Sequence, residues 1–222
     1  MKKLICLLLA LVMLLALVGC DEPSESTPTE PTTPTTTQPP VTDPPKPEIS
    51  RGSVDGTVYT NAYLGFEFHA PSTWVYSTDE EIAAMMNLGV ETLLGSAYKD
   101  VIKDLSSAYD MMVADVVSGS SLLTGYESLK YVSNITEEQY LAAVKAQMEN
   151  VSGVTVVFPD TYDTVRLGQT EFMRAVCTST AAGVTFTQVY YVHKVDGYMS
   201  FLILTVAAGC EYTLEQIEGM FQ

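Results

Sequence analysis

The spacing of apolar residues divides the chain into an apolar N-terminal run, a long polar stretch and a region that alternates or follows helical spacing. After Gly153 the apolar positions recur every second residue, which is typical of half-buried β-strands. This pattern predicts strands over Val154–Phe158, Asp163–Leu167, Glu171–Thr180, Val184–His193 and Met199–Ala207. The short connections at Gly168–Gln169 and Asp196–Gly197 predict hairpins, and hence a mainly antiparallel sheet.

Apolar residues three and four positions apart predict helices in the other half of the domain. One runs from about Asp79 to Asn87, one from about Glu91 to Ala108, one opens at Thr136, and one spans Thr213–Phe221. The acidic run Asp79-Glu80-Glu81 fits the first turn of a helix better than a calcium site. Thr136 and Gln139 have the spacing of a capping box, so Thr136 should be the N-cap.

Short extended segments complete the pattern. They predict strands over Thr57–Thr60, Phe66–Ala70, Trp74–Tyr76, Tyr109–Ser118 and Leu129–Ser133, with a loop over Gly119–Gly125. The late strand Tyr198–Val206 is apolar on both faces, which predicts that helices cover both sides of the sheet. The predicted fold class is therefore α+β, with a central, mainly antiparallel sheet and helices on both faces.

The first nineteen residues have the pattern of an export signal. Lys2 and Lys3 precede the apolar run Leu4–Val18, which is shorter than the roughly 20 residues of a membrane-spanning helix. The sequence Leu17-Val18-Gly19-Cys20 resembles a bacterial lipobox, in which the cysteine thiol is alkylated by a diacylglycerol group. We therefore predict a signal peptide over 1–19, lipidation of Cys20, and an extracytoplasmic protein anchored to the outer face of the cell membrane.

Residues 20–50 are rich in proline, threonine and acidic residues and contain almost nothing apolar, which predicts a disordered tether. Residues 51–222 remain as a single globular domain. This domain has 8 lysines and arginines against 21 aspartates and glutamates, a net charge of −13. Its acidity argues against nucleic-acid binding and against docking on anionic lipid head groups.

The sequence shows no catalytic or metal-binding motif. It lacks the Gly-x-Ser-x-Gly elbow, the HExxH and CxxC metal motifs, and the P-loop and GxGxxG phosphate motifs. We predict no catalytic residues, no metal and no cofactor. Cys177 and Cys210 remain in the domain, and they form either one disulfide or two free thiols.

Two features stay open as functional sites. Tyr63, Tyr76, Tyr190 and Tyr191 are candidates for a surface that stacks on a sugar or a peptide, although aromatic residues also pack sheets, as expected for Trp74. Asp115 and Glu67 lie on otherwise apolar strands, where burial would raise the pKa of a carboxyl group. They are the candidates for an unrecognised carboxylate site.

The start of the domain carries a pattern of its own. Tyr59-Thr60-Asn61 is followed by Gly65-Phe66, and Pro71 precedes Trp74 by three residues. This pattern resembles the start of lipoproteins with the PsbP-like fold, many from clostridia and their relatives, and the resemblance covers roughly 57–222. It implies an α/β/α sandwich. Members of the wider fold are typically accessory or interaction proteins: one branch supports the photosystem II oxygen-evolving complex and another binds a small GTPase.

These observations together predict a surface-displayed lipoprotein that acts as a non-enzymatic binding or accessory module in the cell envelope. Its expected partners are the membrane, through Cys20, and an envelope protein or glycan. The alternative is an envelope enzyme or small-ligand binder that uses an unrecognised carboxylate site.

Overall fold

The structure is a computed structural model that describes residues 48–95, 98–105 and 107–222. The predicted signal peptide, Cys20 and nearly all of the predicted tether lie outside the described residues. Among the described residues, no helix is long and apolar enough to cross a membrane.

The described domain contains two antiparallel sheets. The smaller consists of β1 (Ser53–Asp55), β2 (Val58–Asn61) and β3 (Phe66–His69) in that order. The larger consists of β4 (Trp74–Tyr76), β5 (Ser107–Asp115), β6 (Ser121–Ser128), β7 (Val154–Val157), β8 (Asp163–Leu167), β9 (Thr170–Ala181), β10 (Val184–Val195) and β11 (Tyr198–Val206). Its order is β4-β5-β6-β11-β10-β9-β7, and β8 also pairs with β9.

Five helices accompany these sheets in the described residues. They are α1 (Asp79–Met85), α2 (Val90–Gly95), α3 (Tyr98–Asp104), α4 (Glu137–Met148) and α5 (Leu214–Glu218). The predicted α+β class with a mainly antiparallel sheet is therefore confirmed. Every strand pairing in both sheets is antiparallel.

The predicted hairpin turn and helix cap are confirmed. Asp196 and Gly197 have φ angles of 49° and 83°, so the predicted β10–β11 hairpin has the two left-handed residues of a type I′ turn. The Thr136 hydroxyl accepts a hydrogen bond from the Gln139 amide, and the Gln139 side chain accepts one from the Thr136 amide. This is the predicted capping box. Thr78 and Glu81 form the same arrangement at α1, which places the acidic run in its first turn.

An aromatic cluster joins the small sheet to the C-terminus. Phe68 is fully buried, and its ring centroid lies 4.9 Å from that of Phe221 and 6.0 Å from that of Trp74. The Gln222 amide donates a hydrogen bond to the Glu67 carbonyl, and the Glu67 amide donates one to the Gln222 carbonyl. The chain end therefore lies beside β3, and Trp74 belongs to the core as predicted.

Three predicted elements were wrong. The segment predicted as a loop, Gly119–Gly125, contains the first part of strand β6, in which Leu122 and Leu123 are buried and Gly125 is closely approached by Phe201. A glycine inside a strand obscured that pattern. Leu129–Ser133 forms turns instead of a strand, and Tyr131 there is 83% exposed. The predicted helix from Glu91 to Ala108 extends too far, because Ala108 lies in β5 and pairs with Tyr126.

Candidate functional site

Asp110 is the centre of a buried polar cluster. It lies in β5 where the register with β6 shifts between Tyr109 and Met111, so Asp110 is the extra residue of a β-bulge. Its side chain is 0% exposed. A bulge changes the direction in which a side chain projects, and here the carboxylate meets residues from two other segments of the chain.

The first segment is β2 of the small sheet. The Tyr59 hydroxyl donates a hydrogen bond to Asp110 Oδ2 over 2.6 Å, and Asn61 Nδ2 donates one to the same oxygen over 3.0 Å. Asn61 Nδ2 also lies 2.9 Å from the Tyr126 hydroxyl of β6. The side chains of β2 therefore connect the small sheet to the large one through one buried carboxylate.

The second segment is the described N-terminal stretch 48–52. The Gly52 amide donates hydrogen bonds to both carboxylate oxygens, over 2.9 and 3.2 Å. Arg51 Nη2 donates to the Asp110 backbone carbonyl over 3.2 Å, and its Nη1 lies 2.7 Å from Asp79 of α1. A Cβ on Gly52 would lie 2.4 Å from the Tyr59 ring, so this close approach requires glycine.

Burial controls the ionisation of this cluster. Loss of solvent raises the pKa of Asp110 to about 6, although the hydrogen bonds from Tyr59, Gly52 and Asn61 and the charge of Arg51 all act to lower it. Burial also raises the pKa of Tyr59 and of Tyr98 well above the usual tyrosine value, and the charge of Asp110 adds to both effects. Both phenols are therefore neutral donors at neutral pH.

A cleft of about 450 Å³ lies beside this cluster, between residues 48–52 and helices α2 and α3. Its apolar lining comes from Ile49, Leu93, Leu94 and Tyr98. Its charged lining comes from Glu48, Arg51 and Lys99, and Lys99 Nζ lies 3.0 Å from Glu48. The volume falls within the range of small-ligand sites, about 300–1,000 Å³.

Asp110 is not among the residues that line this cleft. Asp110 is separated from the cleft by Arg51 and Gly52, and its two oxygens already accept hydrogen bonds from three residues. A general base must reach the proton that it removes. The hydrogen bonds of Asp110 instead hold Arg51 and Gly52, which do line the cleft. No group of three or more histidine, cysteine, aspartate or glutamate residues that could hold a metal occurs in the part of the chain that the structure describes.

The two carboxylates expected from the sequence have different environments. Asp115 is buried, as expected, and this acts to raise its pKa. Hydrogen bonds from Ser118, Val117 and Thr73 outweigh that effect, so the pKa lies below the usual value and the expected rise was wrong. The Glu67 side chain is 47% exposed and contacts His69. The structure does not bring these two carboxylates into one site with Asp110.

The four candidate tyrosines do not form one surface. Tyr190 and Tyr191 are only 4% and 0% exposed, because both faces of β10 are covered at this point. Consecutive strand residues also project to opposite faces. Tyr63 and Tyr76 are half-buried; Tyr63 donates a hydrogen bond to Asp196, and Tyr76 donates to the carbonyls of Thr57 and Phe68. Tyr190 and Tyr191 are therefore removed from the candidate binding surface.

Both cysteines of the domain are free thiols in the structure. Cys177 is buried in β9, where loss of solvent raises its pKa to about 12. Cys210 is half-buried in the loop after β11. Cys177 therefore behaves as a small apolar residue, the alternative considered from its strand pattern.

Asp110 itself was missed from the sequence. It lies within the apolar strand pattern of Ala108–Val113, which is the same signal that pointed to Asp115. The bulge that redirects it leaves no clear mark in the sequence, and its partners lie 49 to 59 residues away. In the sequence, Asn61 stands out only as part of the pattern that resembles PsbP-like lipoproteins.

Comparisons with known proteins find similarity at the level of solved structures. No family model matches the chain, and no curated protein matches it. The fold is similar to the solution structure of cyanobacterial PsbP (CyanoP) from Synechocystis sp. PCC 6803, with a TM-score of 0.45 and 10% sequence identity. The similarity covers 82% of this chain and 98% of that chain. The resemblance to PsbP-like lipoproteins stays a prediction from the sequence.

Proposed function

We propose that this protein is a non-enzymatic binding or accessory module that lipid on Cys20 holds at the outer face of the cell membrane. Its ligand-binding surface is the cleft formed by residues 48–52 with α2 and α3. The observation that carries the proposal is that Asp110 is enclosed beside the cleft. Because it is buried, its carboxylate stabilises the wall of the cleft and does not contact the ligand. No nucleic acid is expected as a partner, because the domain is acidic.

The lining of the cleft favours a ligand with an apolar part and an anionic group. Leu94 is 60% exposed at the cleft, and Leu93 and Tyr98 lie behind it as buried residues. Arg51 and Lys99 are the cationic groups there, and each already contacts an acidic side chain. An anionic group of an envelope protein or glycan polymer would compete with Asp79 and Glu48 for these two cations.

We also propose that the domain is a PsbP-like α/β/α sandwich of the lipoprotein type. The pattern from Tyr59 to Trp74 supports this. The helix contacts support it as well: the Tyr140 hydroxyl of α4 donates to Glu127, whereas Glu218 of α5 accepts from Tyr191. Tyr191 is aligned through Leu202 with Thr124, so Glu127 projects from the opposite face of the sheet.

In a second candidate function, the Asp110 carboxylate itself contacts the ligand. The raised pKa of Asp110, directly behind Arg51 and Gly52, is the observation that favours an enzyme or small-ligand binder. It requires that residues 48–52 move away so that the carboxylate contacts the ligand. If replacing Asp110 with asparagine leaves ligand capture at the cleft unchanged, this second candidate is excluded.

The anchor is tested first by metabolic labelling of the full chain. Cells that express the wild-type chain are fed a fatty acid with an alkyne group, and the protein is coupled to a fluorophore and separated on a gel. We expect labelling of the wild-type chain and its loss in Cys20→Ala. Equal labelling of both chains, or none of the wild type, would contradict lipidation at Cys20.

The cleft is tested by photo-crosslinking in the same cells. We place a photoreactive amino acid at Leu94 in the full chain and expect a discrete cross-linked product with an envelope component. Ser50→Trp, which adds a large side chain to the cleft lining, should reduce that product several-fold.

The matched control carries the photoreactive residue at Val184. This position is also exposed, 41% against 60% for Leu94, but it does not line the cleft. The same products at Val184 and Leu94, or a product that Ser50→Trp does not reduce, would overturn the cleft as the binding surface.

A further inference from the structure

The described residues leave one part of the large sheet uncovered. On one face of β7, β9 and β10, exposed or half-buried side chains form a surface that we name the threonine–valine face: Thr155, Val157, Val176, Thr178, Thr180, Thr185 and Thr187. Strand register places them side by side. Val157 is aligned with Thr178 and Thr178 with Thr187, while Thr155 is aligned with Thr180 and Thr180 with Thr185.

Side-chain contacts confirm this alignment and show how far helix α5 covers this face of the sheet. The hydroxyls of Thr180 and Thr185 lie 3.0 Å apart. Two residues before Val176, on the same face, Arg174 forms ion pairs with Glu218 of α5 and with Asp163 of β8. Helix α5 therefore covers the neighbouring part of this face and stops short of Val176, which is 38% exposed.

The composition of this face is unlike that of the rest of the domain. All seven residues are uncharged and β-branched, in a domain with a net charge of −13. A basic partner would find no carboxylate within the face, and a sugar would find no aromatic ring. Interface cores are depleted of charged residues. Two copies of an acidic chain approach each other with least repulsion where both are uncharged.

We propose that the threonine–valine face is a self-association surface that packs against the same face of a second copy. Two-fold symmetry lets one patch meet itself, because a two-fold interface uses the same surface on both subunits. Two flat sheet faces pack about 10 Å apart with interdigitated side chains. Val157, 61% exposed, fills the space between the facing threonines.

The size of the face sets the strength of this association. A stable interface takes about 20–30 residues from each partner, and the face supplies about a third of the lower figure. The dimer is therefore weak and forms at high local concentration. Higher salt strengthens it, because salt screens the repulsion between two acidic copies.

The test is disulfide cross-linking of the full chain in detergent, with micelles in large excess over protein. Thr178→Cys is introduced at the centre of the face together with Cys210→Ser, and the chain with Cys210→Ser alone supplies the background. We expect an oxidised dimer on a non-reducing gel whose yield increases with protein concentration and with salt. Glu80→Cys, exposed on α1, is the control cysteine and should stay near background.

A pair of lysine variants decides between contact at this face and chance collision. Val157→Lys places a charge in the face and should reduce the cross-linked dimer several-fold. Val184→Lys places the same charge on the opposite side of β10 and should leave the yield unchanged. A yield equal to that of Glu80→Cys, no effect of Val157→Lys, or a yield that falls as salt increases would each overturn the proposal. So would oxidation of the Thr178→Cys chain in cells that cross-links it to a different protein alone.

Discussion

Replacing Asp110 with alanine should destabilise the domain by about 2–6 kcal/mol at about pH 5, because a buried donor left without an acceptor costs about 1–3 kcal/mol and two donors are affected. The Gly52 amide would lose both of its carboxylate acceptors, and the Tyr59 hydroxyl would lose its 2.6 Å hydrogen bond. Both donors are buried or partly buried, so water does not replace the carboxylate without cost. Urea denaturation of wild type and Asp110→Ala measures the loss.

The pH dependence separates this cluster from other acidic residues. The pKa of Asp110 is raised from its usual 3.8 to about 6 in the folded domain, so the folded state binds the proton more tightly than the unfolded chain. Its contribution to stability is therefore full below pH 3.8 and is lost as pH rises through about 6. Ionisation should lower the free energy of unfolding by on the order of 2–3 kcal/mol across that window.

Asp110→Asn is the matched control, since it keeps the size and one acceptor oxygen but does not titrate. The stability of wild type relative to Asp110→Asn should decrease as pH rises from about 4 to about 7. The stability difference between wild type and Asp110→Ala should shrink over the same range. A loss below about 1 kcal/mol for Asp110→Ala at about pH 5 would show that the cluster does not hold residues 48–52 and the small sheet in place.

The sequence predicts an element well when the interactions that form it are local, and poorly when they join distant parts of the chain. The hairpin at Asp196–Gly197 and the capping box at Thr136 are local, because every atom that decides them lies within a few residues. Strand β6 was not predicted because Gly125 interrupts its apolar pattern. The glycine is needed there because residues distant in the sequence approach its backbone closely. A Cβ there would lie 2.5 Å from the Ala108 carbonyl and 2.6 Å from the Phe201 ring.

The candidate site was harder to predict than the fold for the same reason. A buried aspartate in an apolar strand is visible in the sequence, both at Asp110 and at Asp115. What distinguishes them is their partners. Asp115 accepts hydrogen bonds from its own turn, from Val117 and Ser118, and these overcome the effect of burial on its pKa. Asp110 depends on Gly52 and Asn61, which only the folded chain brings near.

Replacing Gly168 with alanine should be the most damaging glycine substitution that the structure identifies. Gly168 has a φ of 60°, a left-handed conformation that costs an alanine about 1–2 kcal/mol. A Cβ there would also lie 2.5 Å from Phe66 Cβ and 2.7 Å from the carbonyl oxygens of Gly65 and Gln222. These backbone atoms cannot move aside independently, so overpacking adds about 1–3 kcal/mol.

The clash matters because Gly168 lies where three parts of the fold meet. The Gln169 amide donates to the Gly65 carbonyl over 2.8 Å, and the Thr170 hydroxyl donates to the Leu64 carbonyl. The β8–β9 turn is thus held against the loop before β3 and against the chain end. We expect Gly168→Ala to push these segments apart and to lower the melting temperature by roughly 10 °C, as 2–5 kcal/mol implies for a domain of this size.

Gly183→Ala is the matched control, because it has the backbone strain without the steric clash. The difference between the two variants is therefore the cost of the clash. Gly183 has a φ of 78°, so the backbone strain is similar, but a Cβ there would meet no atom within 4 Å. It should cost only the about 1–2 kcal/mol of the left-handed conformation. Urea denaturation of both variants gives the difference directly. Equal losses in the two variants would mean that the β8–β9 turn yields freely, and that contact between β3, the turn and the C-terminus contributes little to holding the small sheet on the domain.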